Sequence, residues 1–93
     1  MVNWDNIRTA DLEYAEHAFN HGIKKEEYEE LFRHPFYKKK FKYKGELRYT
    51  IIGKSYGRYI LAIITASRSK LRIFSGREAS EGYKSLYKNK YDR

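Results

Sequence analysis

The sequence predicts an α+β domain: two N-terminal helices, a four-stranded antiparallel sheet and a C-terminal helix, forming one unit over residues 1–93. Three observations carry this. Apolar residues recur at helical spacing before Pro35, period-two alternation takes over after it, and the links between alternating segments are short. With 41% hydrophobic and 17% aromatic side chains, 93 residues support one modest core rather than a disordered chain.

The first helix is expected to begin at Thr9, a residue suited to the N-cap, with Leu12, Ala15 and Phe19 on one face and Gly22 as its stop. A second, over Lys25 to Arg33, sets Tyr28, Leu31 and Phe32 on one side, and Pro35 closes it. In the first strand, Phe36–Lys44, Tyr37, Lys39, Phe41 and Tyr43 alternate with Lys38, Lys40, Lys42 and Lys44. Glu46–Lys54 follows, with Leu47, Tyr49 and Ile51 facing one way and Arg48 and Thr50 the other. The glycines of Gly53–Gly57 mark a turn. Tyr59–Ala66 is apolar on both faces, as a central strand covered on each side should be. Leu71–Ser75 gives the fourth strand, ending at Gly76-Arg77, and Ser80 opens a last helix to about Lys90.

Charge divides the chain. It carries 20 Lys and Arg against 12 Asp and Glu, a formal +8. Residues 1–35 hold eight acids and four bases, a net −4, whereas residues 36–93 hold sixteen bases and four acids, a net +12. A basic half of this density concentrates anions and favours nucleic acid; the plainer reading is a solvated face that keeps the protein soluble.

Several function classes fall away. No apolar run is long enough to span a membrane and no signal-peptide pattern opens the chain, so a cytoplasmic protein without membrane contact is expected. Gly53-Lys54-Ser55-Tyr56-Gly57 spells G-x-S-x-G, but it joins two strands and no histidine follows His34, which excludes a serine hydrolase. His17 and His21 stand four apart without the glutamate of a zinc peptidase, and the chain has no cysteine. Neither a metal nor another cofactor is expected.

Two groups of cations remain. Lys38, Lys40, Lys42 and Lys44, with Lys54 further on, suit RNA phosphates, and the neighbouring aromatics supply stacking surfaces. Equally, lysine on an edge strand blocks aggregation. Arginine's planar fork suits phosphate oxygens, and Arg48, Arg58 and Arg77 stand on different strands whose inward residues are expected to converge on one patch.

Trp4, His21-Gly22-Ile23 with the acidic Glu26–Glu30 segment, Pro35, Arg48-Tyr49, Ile52-Gly53, Ser55, Gly57-Arg58, Thr65, Arg77 and Leu86-Tyr87 form an ordered set spanning nearly the whole chain. In that set the sequence resembles the BrnT-like toxins, a branch of the RelE-type ribonuclease toxins of type II toxin–antitoxin systems. The resemblance implies a RelE-like fold and RNA cleavage. It also implies a bound cognate antitoxin protein and operator DNA contacted only through that antitoxin. Arg48, Arg58 and Arg77 match basic positions of the family and are the expected stabilisers of the phosphoryl transition state. Glu46 or a lysine of the ladder would be the base, and Tyr87 or Lys54 the acid. The competing reading is a diverged, inactive toxin fold that only binds nucleic acid or an acidic protein.

Overall fold

Alternation decides the architecture from Tyr37 onward. The computed structural model describes residues 2–91. Four long strands follow one another: β2 (Tyr37–Tyr43), β3 (Glu46–Ser55), β4 (Arg58–Ala66) and β5 (Leu71–Glu78), each antiparallel to the next. Two of the links are two-residue turns, Lys44-Gly45 and Tyr56-Gly57, with φ of 50° and 80° in the first and 49° and 83° in the second. Positive φ at both central residues matches the turn to the right-handed twist of the flanking strands, which fixes the register of both hairpins.

The expected fold needs correction at its N-terminal end. The sheet has five strands and is mixed, with order β1-β5-β4-β3-β2, and its extra strand β1 (Leu12–Tyr14) runs parallel to β5. The helix expected from Thr9 does not form. In its place lie a 3₁₀ turn over Thr9–Asp11, β1, and a second 3₁₀ turn over Glu16–Phe19. A helix would have buried Leu12, Ala15 and Phe19 together, yet Phe19 is exposed, while Leu12 and Tyr14 pack against the core at strand spacing. A single short helix is marginal alone, and the open edge of β5 offers backbone partners: Ala15 N–H donates to the Ile73 carbonyl at 2.9 Å. Among the described residues only one α-helix precedes the long strands, α1 (Lys25–Leu31), started where Lys24 N–H donates to the Glu27 carboxylate at 3.0 Å. The last described element is α2 (Glu81–Tyr91), whose first turn places Lys84 N–H 2.9 Å from the Ser80 carbonyl.

Two glycines read as punctuation are strand residues. β3 runs through Gly53 to Ser55, and β5 through Gly76 to Glu78. A Cβ at Gly53 would lie 3.2 Å from Leu31 Cγ, and one at Gly76 would press into the Tyr28 ring, 2.5 Å from Cε1. Both glycines let α1 settle close onto the sheet. That contact builds the larger core, where Tyr28 and Leu31 meet Ile51, Ile60, Ile64 and Ile73. On the other face α2 lays Tyr87 over Ile52, Leu61 and Ala79, a smaller core that covers only part of the sheet.

Candidate nucleic-acid interface

Strand register sorts the cations onto two faces. Side chains that share a face with Ile52 and Leu61 point toward α2, and those that share one with Ile51 and Ile60 point toward α1. By this alternation Lys39, Phe41, Arg48, Thr50, Ile63 and Arg77 belong to the α2 side. Tyr37 is drawn under α2, but Phe41, Thr50 and Ile63 stay half-exposed beyond the helix, and Lys39, Tyr43 and Arg77 are exposed. The result is a shallow floor, apolar to weakly polar, rimmed by cations.

Arg48 is the best-held of these cations. Its Nε donates to Glu46 Oε1 at 2.9 Å, and its guanidinium lies 4.6 Å from the Tyr43 ring centre and 4.7 Å from that of Phe74. Stacking of this kind orients the fork without covering its other donors. Phe74 reaches the site through a bulge: Ile63 pairs with Ser75 and Ile64 with Ile73, so Phe74 has no opposite residue. Arg72, also on this side opposite Thr65, pairs loosely with Glu13 at 3.7 Å. Arg77 lies opposite Leu61, exposed, with no ion pair among the described residues.

The three arginines expected on one patch are divided. Arg58 faces α1, not α2. Its Nε donates to Glu27 Oε2 at 2.7 Å, one Nη to Glu27 Oε1 at 3.0 Å and to the Gly22 carbonyl at 3.3 Å, while Glu78 lies 3.6 Å away. The two hydrogen bonds from Arg58 hold the Glu27 carboxyl below its usual range, against the opposing effect of burial. The same pair raises the guanidinium of Arg58 further. Beside it Ser55, the serine of the G-x-S-x-G string, is buried and donates to the Glu27 carbonyl at 2.7 Å. Arg58 and Ser55 pin the start of α1 to the end of the sheet.

The remaining candidates are spread out. Glu46 stands beside Arg48 at the start of β3, exposed and ion-paired to it. Tyr87 is 5% exposed and packs edge-on against Tyr59, with ring centres 5.6 Å apart, as a core residue of α2. Lys38, Lys40 and Lys42 point to the α1 side, opposite Ile51, Tyr49 and Leu47, along the exposed edge of the sheet. Lys38 sits over the Trp4 ring at 4.0 Å, and Lys44 occupies the turn. Lys54 lies 5.4 Å from the Tyr59 ring. Two contributors escaped the sequence reading of the site. Lys39 was legible as an odd-numbered member of the ladder, whereas Phe74 depends on a bulge that no local pattern signals. His17 and His21 meet edge to face at 5.8 Å, with His17 Nδ1 2.7 Å from Asn20 Nδ2. Among the described residues no group of three or more His, Cys, Asp or Glu is placed to hold a metal ion. No helix among them is long and apolar enough to cross a membrane.

Comparison with curated proteins and with solved structures gave no significant match. A family model does match, over residues 7–82, and its description is ribonuclease toxin, BrnT, of type II toxin–antitoxin system. The matched stretch takes in all five strands, α1 and the cation-rimmed face with Arg48 and Arg77. The chain therefore belongs to the BrnT family of ribonuclease toxins of type II toxin–antitoxin systems, and the family implies an antitoxin as its partner.

Proposed function

We propose that this chain cleaves single-stranded RNA on the part of the sheet that α2 leaves open. The observation that carries the reading is Arg48, fixed between Tyr43 and Phe74 on the same face as the exposed Arg77. In such a reaction the 2′-oxygen bonds to the adjacent phosphorus and the bond to the 5′-oxygen breaks, with negative charge gathering on the phosphoryl oxygens. Arginines already in place stabilise that charge without reorganising. Glu46, exposed beside Arg48, takes the 2′-hydroxyl proton, and Lys39 on the same face returns one to the leaving oxygen. Tyr43 and Phe74 offer ring surface to flanking bases. Arg58 acts at a distance, by holding α1 through Glu27, and the lysine edge of β2 draws the RNA backbone in.

The antitoxin restrains the toxin in the cytoplasm, and contact with operator DNA comes only through the antitoxin. A second reading, a toxin fold that grips RNA without cutting it, has one observation in its favour: Glu46 and Glu13 already neutralise Arg48 and Arg72. Turnover of a labelled single-stranded RNA by purified protein at fixed salt separates the two. Arg77→Ala should lower turnover about 100-fold, the cost of losing one preorganised donor, with an unchanged melting temperature. Undiminished turnover in a folded Arg77→Ala protein refutes the site, and binding without turnover in the unaltered chain selects the second reading.

A further inference from the structure

The tip of the β3–β4 hairpin carries a residue that neither the fold nor the proposed cleavage site uses. Tyr56 is 66% exposed, the most open of the large hydrophobic side chains among the described residues. It also sits at φ 49°, in the left-handed region, as the first central residue of its turn. That position favours Asn, Asp or Gly, because a Cβ is crowded there. A tyrosine held here in water gains little from burial and loses conformational ease, so folding gives no reason for it.

Its surroundings supply one. Tyr56 and Gly57 border a cavity of about 310 Å³ that is completed by Lys54, His34, Pro35 and Tyr87. Among the described residues the lining combines rings with a cation, a composition that suits a nucleobase with its phosphate. Lys54 projects from the α2 side of β3, six residues along the strand from Arg48. At about 3.3 Å per residue the two ends lie roughly 20 Å apart, a span of several nucleotides.

We propose that Tyr56 is a stacking platform for a base of single-stranded RNA, distant from the cleaved bond, with Lys54 meeting the adjoining phosphate. This rests on the reading that the chain takes RNA. The platform lengthens the footprint beyond the open face and favours long substrates over dinucleotides.

The test uses a fluorescent single-stranded RNA methylated at its 2′-oxygens, which binds without being consumed. Tyr56→Asn should raise the melting temperature, since asparagine suits the turn, and weaken binding about tenfold. Tyr56→Phe should keep the affinity. Opposite signs for stability and affinity separate a ligand contact from a folding defect. If Tyr56→Asn lowers both, the tyrosine is structural and the inference fails. If Tyr56→Asn binds RNA as tightly as the unaltered chain while Arg77→Ala binds weakly, the platform is overturned and the RNA reading stands. Unchanged RNA affinity with weakened antitoxin binding assigns Tyr56 to the protein partner instead, which also overturns it. Absence of RNA binding by the unaltered chain overturns both readings.

Discussion

On the α1 side of the sheet Arg58 is enclosed by Glu27, Glu78 and the Gly22 carbonyl, whereas on the α2 side Arg77 faces solvent and Arg48 rests between Tyr43 and Phe74. One residue type thus does two jobs, and the side of the pleat decides which. Where α1 closes over the sheet, an arginine has to bring its counter-charges along, because a desolvated fork left unpaired is costly. Beyond the edge of α2 the fork of Arg77 lies in water, which fills it until a phosphate arrives, whereas Arg48, less exposed than Arg58, keeps Glu46 beside it. Closure explains the difference in coverage: α1 approaches over two glycines, while α2 rests on full side chains and reaches only Ile52, Leu61 and their neighbours.

The sharpest way to break that comparison is at Gly76. An alanine there would drive its Cβ into the hydroxyl and ring of Tyr28, whose hydroxyl donates to the Ala18 carbonyl. Tyr28 is fully buried, so it has no free space to retreat into. Gly76→Ala should cost about 3 kcal/mol, read as a lower urea midpoint, and both faces should fail together. A protein of unchanged midpoint would show that the close approach of α1 is not what holds the two-faced arrangement.

Much of this was legible in the sequence, and what was not has identifiable causes. The Tyr37–Tyr43 and Tyr59–Ala66 strands follow from local alternation and apolar runs, whereas the turn expected over Gly53–Gly57 contracts to Tyr56-Gly57. Gly53 and Gly76 look like stops because a glycine that makes room for a distant side chain, Leu31 or Tyr28, looks the same as one that turns the chain. Leu12–Tyr14 was read as helix because its partner, Leu71–Ile73, is nearly sixty residues away and leaves no mark on local spacing. At the site, that Arg48 and Arg77 share a side rests on the register of the paired strands, which alternation within one strand does not supply. The separation of Arg58 from them rests on the same register, since Arg58 opposes Ser55. The bulge at Phe74 was beyond reach.

A milder change sharpens the comparison by weakening the closed side alone. Glu27→Gln removes the charge that Arg58 grips, and Arg58→Ala removes the grip itself. Arg58 is 36% exposed, so water screens the pair and each substitution should cost about 1–2 kcal/mol rather than the full value of a buried ion pair. The pH dependence has a definite sign. The Glu27 carboxyl lies lower when folded than when unfolded, so its contribution is complete above the ordinary glutamate value of ~4.3 and is lost as pH falls through the depressed one. The gap in stability between the unaltered protein and Glu27→Gln should therefore close on acidification. A gap that persists at low pH would mean that packing of α1, not charge, is what the pair contributes. Arg58→Ala should also lower the melting temperature, whereas Arg77→Ala should not.

The smallest expected effect lies at Tyr14, where the closed face has a defect. Its hydroxyl is buried without a hydrogen-bond partner among the described residues, while its ring packs on Phe19 and Tyr28 at 5.4 and 5.6 Å. Tyr14→Phe keeps the ring contacts and removes a desolvated donor, so it should stabilise the protein by up to about 1 kcal/mol. Burial pushes the Tyr14 phenol well above its ordinary value of 10.0, with Glu29 adding to the effect, and it raises that of Tyr28 to about 12. Both groups favour folding below the ordinary tyrosine range and lose that contribution as pH rises through it, because the unfolded chain ionises first. Removing the Tyr14 hydroxyl should flatten this alkaline loss without abolishing it, since Tyr28 remains. Denaturation midpoints measured on either side of pH ~10 would read the change. A loss of stability at neutral pH would instead mean that the Tyr14 hydroxyl has a bound water in solution, and the closed face would then be as fully satisfied as the Arg58 pair suggests.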